Sequence, residues 1–105
     1  MQYTRIGIYQ VKPGSTITAD EAIRRSQAGM LPIFRNQPGF AGYGMVKAGE
    51  KSVISISVWQ SRQQAEAAVQ LAASWAKDNV AEMNESVQNY VGELAFFTSA
   101  VPIGG

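Results

Sequence analysis

The eight residues Ser52-Val53-Ile54-Ser55-Ile56-Ser57-Val58-Trp59 decide how this chain folds. The stretch is rich in β-branched types, and successive side chains of a strand point to opposite faces. Ile54, Ile56 and Val58 therefore share one face, while Ser55, Ser57 and Trp59 share the other. Just downstream, Ser61-Arg62-Gln63-Gln64 has the form of a capping box. Ala65, Ala68, Val69, Ala72, Trp75, Ala76 and Val80 then recur at three- and four-residue spacing. That spacing predicts a helix whose alanine-rich face approaches a sheet closely.

Working outward, Gly49-Glu50 supplies a turn, and residues 40–48 predict another strand, glycine-rich at Gly42 and Gly44. Thr18-Ala19-Asp20-Glu21 is an earlier capping box, with Thr18 accepting from the Glu21 amide and Glu21 reaching back. The helix it opens presents Ala22, Ile23, Met30 and Ile33 or Phe34 to its partner. Pro32 is expected to kink or end it, and Gln37-Pro38-Gly39 to stop it. Residues 3–12 predict a first strand closed by Pro13-Gly14, with Ile6 and Ile8 on one side and Arg5, Gly7 and Tyr9 on the other. After a polar stretch at Asn84-Glu85-Ser86, residues 87–98 predict a long last strand, followed by a tail.

The order β-α-β-β-α-β predicts a ferredoxin-like α+β fold: a four-stranded antiparallel sheet with two helices on one face. All 105 residues read as one domain, with a tail from about residue 99. Two helices roof one face only, yet both parities are apolar. Ile6, Ile8, Ile54, Ile56 and Val58 hold one; Tyr9, Trp59 and a set from Val91, Phe96 and Phe97 hold the other. A bare face of that kind exceeds what monomers expose. The simplest cover is the same face of a second copy, an isologous homodimer.

Composition excludes much. Nine Lys and Arg against eight Asp and Glu leave a net charge of +1, so nothing draws the chain to nucleic acid or an anionic membrane. There is no cysteine for thiolate chemistry and no histidine for acid–base work, metal ligation or haem. No metal and no cofactor are expected. No apolar run reaches membrane-spanning length and no signal peptide is apparent, so a cytoplasmic protein is expected. Gly39-x-x-Gly42-x-Gly44 lacks the strand–helix context of a nucleotide fingerprint. Asp20 with Glu21, and Glu82 with Glu85, do not form a dyad, and Asn84-Glu85-Ser86 is a glycosylation site only in a secreted eukaryotic protein.

Val11-Lys12-Pro13-Gly14, then Leu31-Pro32, Gln37-Pro38-Gly39-Phe40 and Val58-Trp59-Gln60-Ser61 resemble the antibiotic-biosynthesis-monooxygenase-like domains of the dimeric α/β-barrel superfamily. The likeness spans nearly the whole chain. It implies a barrel of two sheets and a small-molecule pocket between sheet and helices. Family members include cofactor-independent monooxygenases of aromatic polyketides and haem-degrading enzymes. Of the residues that matter in the anthrone oxygenases, the tryptophan ending strand three is matched by Trp59. Their asparagine four residues earlier is Ser55, their helix-two tyrosine falls at Ala65, and no arginine stands near Asn79. The haem-degrading pattern has Gly7 for its asparagine, Ala68 for its tryptophan, and no histidine.

The resemblance places Trp59, Ser55 and Ser57 under the helices. Two small hydroxyl residues and Gly7 leave space there for a hydrophobic ligand. Trp59 either shapes that space or plugs the corner where the strand turns into the helix. Arg5 either holds an anionic oxygen, with Tyr9 donating beside it, or sits at the sheet margin paired with Glu93 or another acid of the last strand. Glu93, if buried, is a candidate base. Candidate catalytic residues are thus Trp59, Ser55 and Arg5, and candidate substrate-binding residues Tyr9, Ser57, Trp75, Phe34 and Gly7. A cavity above ~300 Å³ with converging polar groups speaks for an oxygenase. Closure by Trp59, Trp75 and Phe34 speaks for a non-catalytic binding module.

Overall fold

The computed structural model describes residues 1–81 and 86–99. Strand β1 (Tyr3–Gln10) leads into helix α1 (Ala19–Arg35), then β2 (Phe40–Gly49), β3 (Ser52–Trp59), helix α2 (Arg62–Asn79) and β4 (Ser86–Glu93). The four strands form one antiparallel sheet in the order β2-β3-β1-β4. This is the ferredoxin-like α+β fold that the element order predicts.

Local chemistry sets the boundaries. Lys12-Pro13-Gly14-Ser15 and Gln37-Pro38-Gly39-Phe40 each put proline second and a glycine of φ near +80° third, as a type II turn demands. Both are closed by an amide-to-carbonyl bond, Ser15 to Lys12 at 3.1 Å and Phe40 to Gln37 at 3.4 Å. Thr18 caps α1 by accepting from the Glu21 amide, and Ser61 caps α2 by accepting from that of Gln64. The reciprocal half of the first box is not made: the Glu21 carboxylate turns to Arg24 and Arg25 instead.

Two boundaries differ from expectation. Helix α1 does not end at Pro32 but continues to Arg35. Ala28 and Pro32 are both exposed, so the carbonyl that loses its donor faces water. The last strand stops at Glu93, well short of residue 98. Its partner β1 begins at Tyr3, and the bond from the Leu94 amide to the Gln2 carbonyl is the last rung available. Phe96 and Phe97 consequently join neither sheet face and are exposed; Val91 lies on the helix side, packed against its core. The residues from 100 to the end lie outside the described residues.

Alternation sorts the sheet as the parities predict. Val53, Ser55, Ser57 and Trp59 of β3 are buried, with Arg5 and Gly7 of β1 beside them. Ile6, Ile8, Ile54, Ile56 and Val58 lie on the opposite face and are half-buried, with no described helix over them. Val46 and Tyr90 on that face are exposed. The covered side holds two apolar clusters. One gathers Val11, Ile17, Ala19, Ala22, Val53, Ala76 and Val80. The other gathers Met30, Phe34, Trp59, Ala65, Ala68 and Ala72.

Candidate functional site

Between the two clusters runs a polar layer. On β3, Ser55 and Ser57 separate Val53 of one cluster from Trp59 of the other; on α1, Ser26 separates Ala22 from Met30. On β1, Arg5 stands between Tyr3 and Tyr9, which pack against different clusters. Among the described residues, Arg5, Ser26, Ser55 and Ser57 are the buried polar ones, and Arg5 is only 1% exposed. A guanidinium so far from water is costly unless its donors are satisfied.

Arg5 is satisfied by neutral groups. Its Nε and Nη2 both donate to Asn89 Oδ1, at 3.2 and 2.8 Å, and its Nη1 donates to Ser55 Oγ at 3.3 Å. Nη2 also donates to the Tyr9 hydroxyl. Gly7 makes this possible. It lies in register with Ser55 on one side and Asn89 on the other. A Cβ there would stand 2.8 Å from Arg5 Cζ and nearer still to its Nη2, so only glycine lets the guanidinium lie across the strand. The expected margin position with a Glu93 partner is not what the chain adopts. Glu93 is exposed at the end of β4, opposite Tyr3, while Arg5 lies opposite Val91. Among the described residues no carboxylate pairs with Arg5.

These groups line a pocket with about 30 Å³ of free volume, room for about two waters. Arg5, Tyr9, Ser26, Tyr43 and Ser55 make its polar end; Met30, Met45 and Trp75 are among its apolar lining. Burial pushes the Tyr43 hydroxyl above its ordinary range, against the opposing pull of hydrogen bonds with Ser55 and Ser26 and the charge of Arg5. Tyr43 therefore stays a neutral O–H at physiological pH.

Of the residues singled out in the sequence, Arg5, Ser55, Tyr9 and Trp75 meet at this pocket, over Gly7. Trp59, Ser57 and Phe34 do not line it. Trp59 is buried in the second cluster, where its Nε1 donates to Ser57 Oγ at 2.9 Å. Phe34 and Phe40 meet its ring edge-on, with centroids 5.3 and 5.6 Å away. Asn89, Tyr43 and Ser26 were not among the sequence candidates. Ser26 carried a signal, lying four residues from both Ala22 and Met30 on one helix face. Asn89 becomes visible only once the register sets it opposite Gly7.

Elsewhere, Asp20 pairs with Lys47 at 3.0 Å and Glu21 with Arg24 at 2.6 Å, so these two acids serve the surface. Glu82, Asn84 and Glu85 lie outside the described residues. Among the described residues no three His, Cys, Asp or Glu side chains converge as a metal site. No described helix is long and apolar enough to cross a membrane.

Three solved structures illustrate what the chain is similar to. A putative antibiotic biosynthesis monooxygenase from Nitrosomonas europaea superposes with a TM-score of 0.66 at 20% identity, over 90% of this chain and 91% of its own. SnoaB, a cofactor-independent oxygenase from Streptomyces nogalater, gives 0.61 at 15% identity, over 99% and 98%. NE2512, a Nitrosomonas europaea protein of unknown function, gives 0.70 at 14% identity, over 96% of each chain. At these identities the likeness carries the fold. No curated protein matches the sequence significantly. The family model described as antibiotic biosynthesis monooxygenase matches residues 3–76, the greater part of the chain and every residue of β1 through β3. The chain belongs to the antibiotic biosynthesis monooxygenase family.

Proposed function

We propose that this protein binds a hydrophobic, enolisable small molecule and lets its carbanion react directly with dioxygen, without a cofactor. The supporting observation is Arg5: a buried cation with no carboxylate partner among the described residues, lining a pocket otherwise walled by apolar and hydroxyl groups. An anion formed on the ligand is the partner that this charge lacks, and a low-dielectric wall strengthens the attraction. The reaction balances as one methylene group and one dioxygen giving one carbonyl group and one water. A methylene beside a carbonyl gives a proton to solvent water, and its carbon gives electrons to dioxygen and forms a C–O bond. The proton returns to the distal oxygen, and the resulting hydroperoxide loses water to leave the new carbonyl. The described pocket residues include no carboxylate or imidazole to act as base. Arg5 instead makes the bound substrate itself a stronger acid, with Tyr9 and Ser55 around the developing oxyanion. Trp59 acts from outside the pocket by holding the end of β3.

We place the site in a homodimer closed through the isoleucine face, which no described element of this chain covers. Oxygen uptake with a panel of anthrones and quinols tests the reaction. Arg5→Ala should remove uptake and Trp59→Phe should retain most of it; no uptake with any compound would set the oxygenase reading aside. The small free volume favours a second reading, a non-catalytic module that holds a compact ligand at Arg5. Ligand binding without oxygen consumption would mark that case.

A further inference from the structure

We infer that the ligand accepted at Arg5 carries its charge on a single oxygen, as a phenolate or enolate does, and that carboxylates and phosphates of like size are refused. The inference rests on reading the pocket as a ligand site and narrows what that site takes. An arginine side chain has five N–H donors. Four are committed: the Nε hydrogen and one on Nη2 to Asn89, the other on Nη2 to Tyr9, and one on Nη1 to Ser55. The fifth, on Nη1, has no partner among the described residues. Carboxylates and phosphates are recognised by two parallel N–H groups along one edge of the guanidinium. The Nε–Nη2 edge is closed by Asn89, and the Nη1–Nη2 edge is spoiled because both hydrogens of Nη2 are taken. What remains is one donor, suited to one oxygen.

The surrounding groups agree. The Tyr9 hydroxyl accepts from Arg5, and with no acceptor for its own hydrogen among the described residues it can donate to the same incoming atom. A free volume of about 30 Å³ holds an oxygen atom and its immediate neighbours. The ring behind the oxygen enters where Met30, Met45 and Trp75 give way; methionine yields cheaply because it is unbranched and has three rotatable bonds.

The test is a pair of probes of equal shape, 4-nitrophenol and 4-nitrobenzoate, titrated against the full chain. Binding of the first is read by the yellow absorbance of its anion at fixed pH. Wild type should increase the phenolate fraction on binding and hold 4-nitrobenzoate at least tenfold more weakly. Asn89→Asp gives Arg5 an internal carboxylate and should weaken nitrophenolate at least tenfold, with the thermal melt retained. Tyr9→Phe should weaken it several-fold without creating a buried charge. Nitrobenzoate binding as tightly, and equally sensitive to Asn89→Asp, would overturn the single-oxygen rule while leaving an anion site in place. Nitrophenolate binding indifferent to Asn89→Asp would overturn it as well. Failure of both probes to bind would overturn the rule and the ligand-site reading together.

Discussion

Arg5 and Trp59 are both large, both almost fully buried and both on the covered face of the sheet, yet their surroundings give them opposite tasks. Among the described residues, Arg5 keeps a donor to spare at a pocket wall. Trp59 has its only donor satisfied by Ser57 and its ring enclosed by Phe34 and Phe40. Truncating it should therefore be felt in folding. Trp59→Ala is expected to lower stability by about 3–5 kcal/mol in denaturant unfolding. Ser57→Ala, which strands the buried indole N–H, is expected to cost about 1–3 kcal/mol. A Trp59→Ala protein as stable as wild type would remove the packing role. Alternation alone put Arg5, Gly7 and Tyr9 on one face and Ser55, Ser57 and Trp59 on one face. It could not reveal that Asn89, rather than Glu93, meets Arg5, because pairing between distant strands is not written in either strand alone.

At the level of elements, the caps were readable because each depends on four consecutive residues, while strand ends depend on distant partners. The early stop of β4 and the passage of α1 through Pro32 both follow from what neighbours supply or leave to solvent. The first turn of α1 carries a further consequence. Hydrogen bonding to Arg24, then to Arg25, holds the Glu21 carboxyl at about 2, below its ordinary 4.5. A carboxyl depressed by folding contributes stability that is present above the ordinary value and lost as pH falls toward the lower one. Glu21→Gln should therefore lower the melting temperature at neutral pH, and the gap from wild type should close between pH 4.5 and about 2. The side chain is a third exposed, so 1 M salt should shrink the gap at neutral pH as well. A gap independent of pH would assign Glu21 some other role.

For the molecule as a whole, the sequence already carried the two-faced sheet, and the single chain leaves its Ile6, Ile8, Ile54, Ile56 and Val58 side uncovered by any described element. Gly44 and Gly92 leave that surface low, since a Cβ at either would meet nothing within 4 Å. If a second copy closes it, sedimentation equilibrium of the wild type should give twice the chain mass. Ile56→Asp should give the single mass with the fold kept, because Ile56 is only half-buried within one chain. A wild-type protein that stays single at micromolar concentration would end the dimer proposal.

The polar layer has a consequence of its own. Two separate masses of hydrocarbon anchor the helices to the sheet, one at each end, so the middle carries little of the apolar packing and is held by hydrogen bonds instead. Ser26 and Ser55 belong to neither mass, whereas Tyr43 also leans on the second one and meets Phe34 edge-on, so a small polar exchange at 26 alters the middle while the ends continue to hold the architecture upright. A scaffold divided in this way can vary the chemistry of its middle without relearning how to fold.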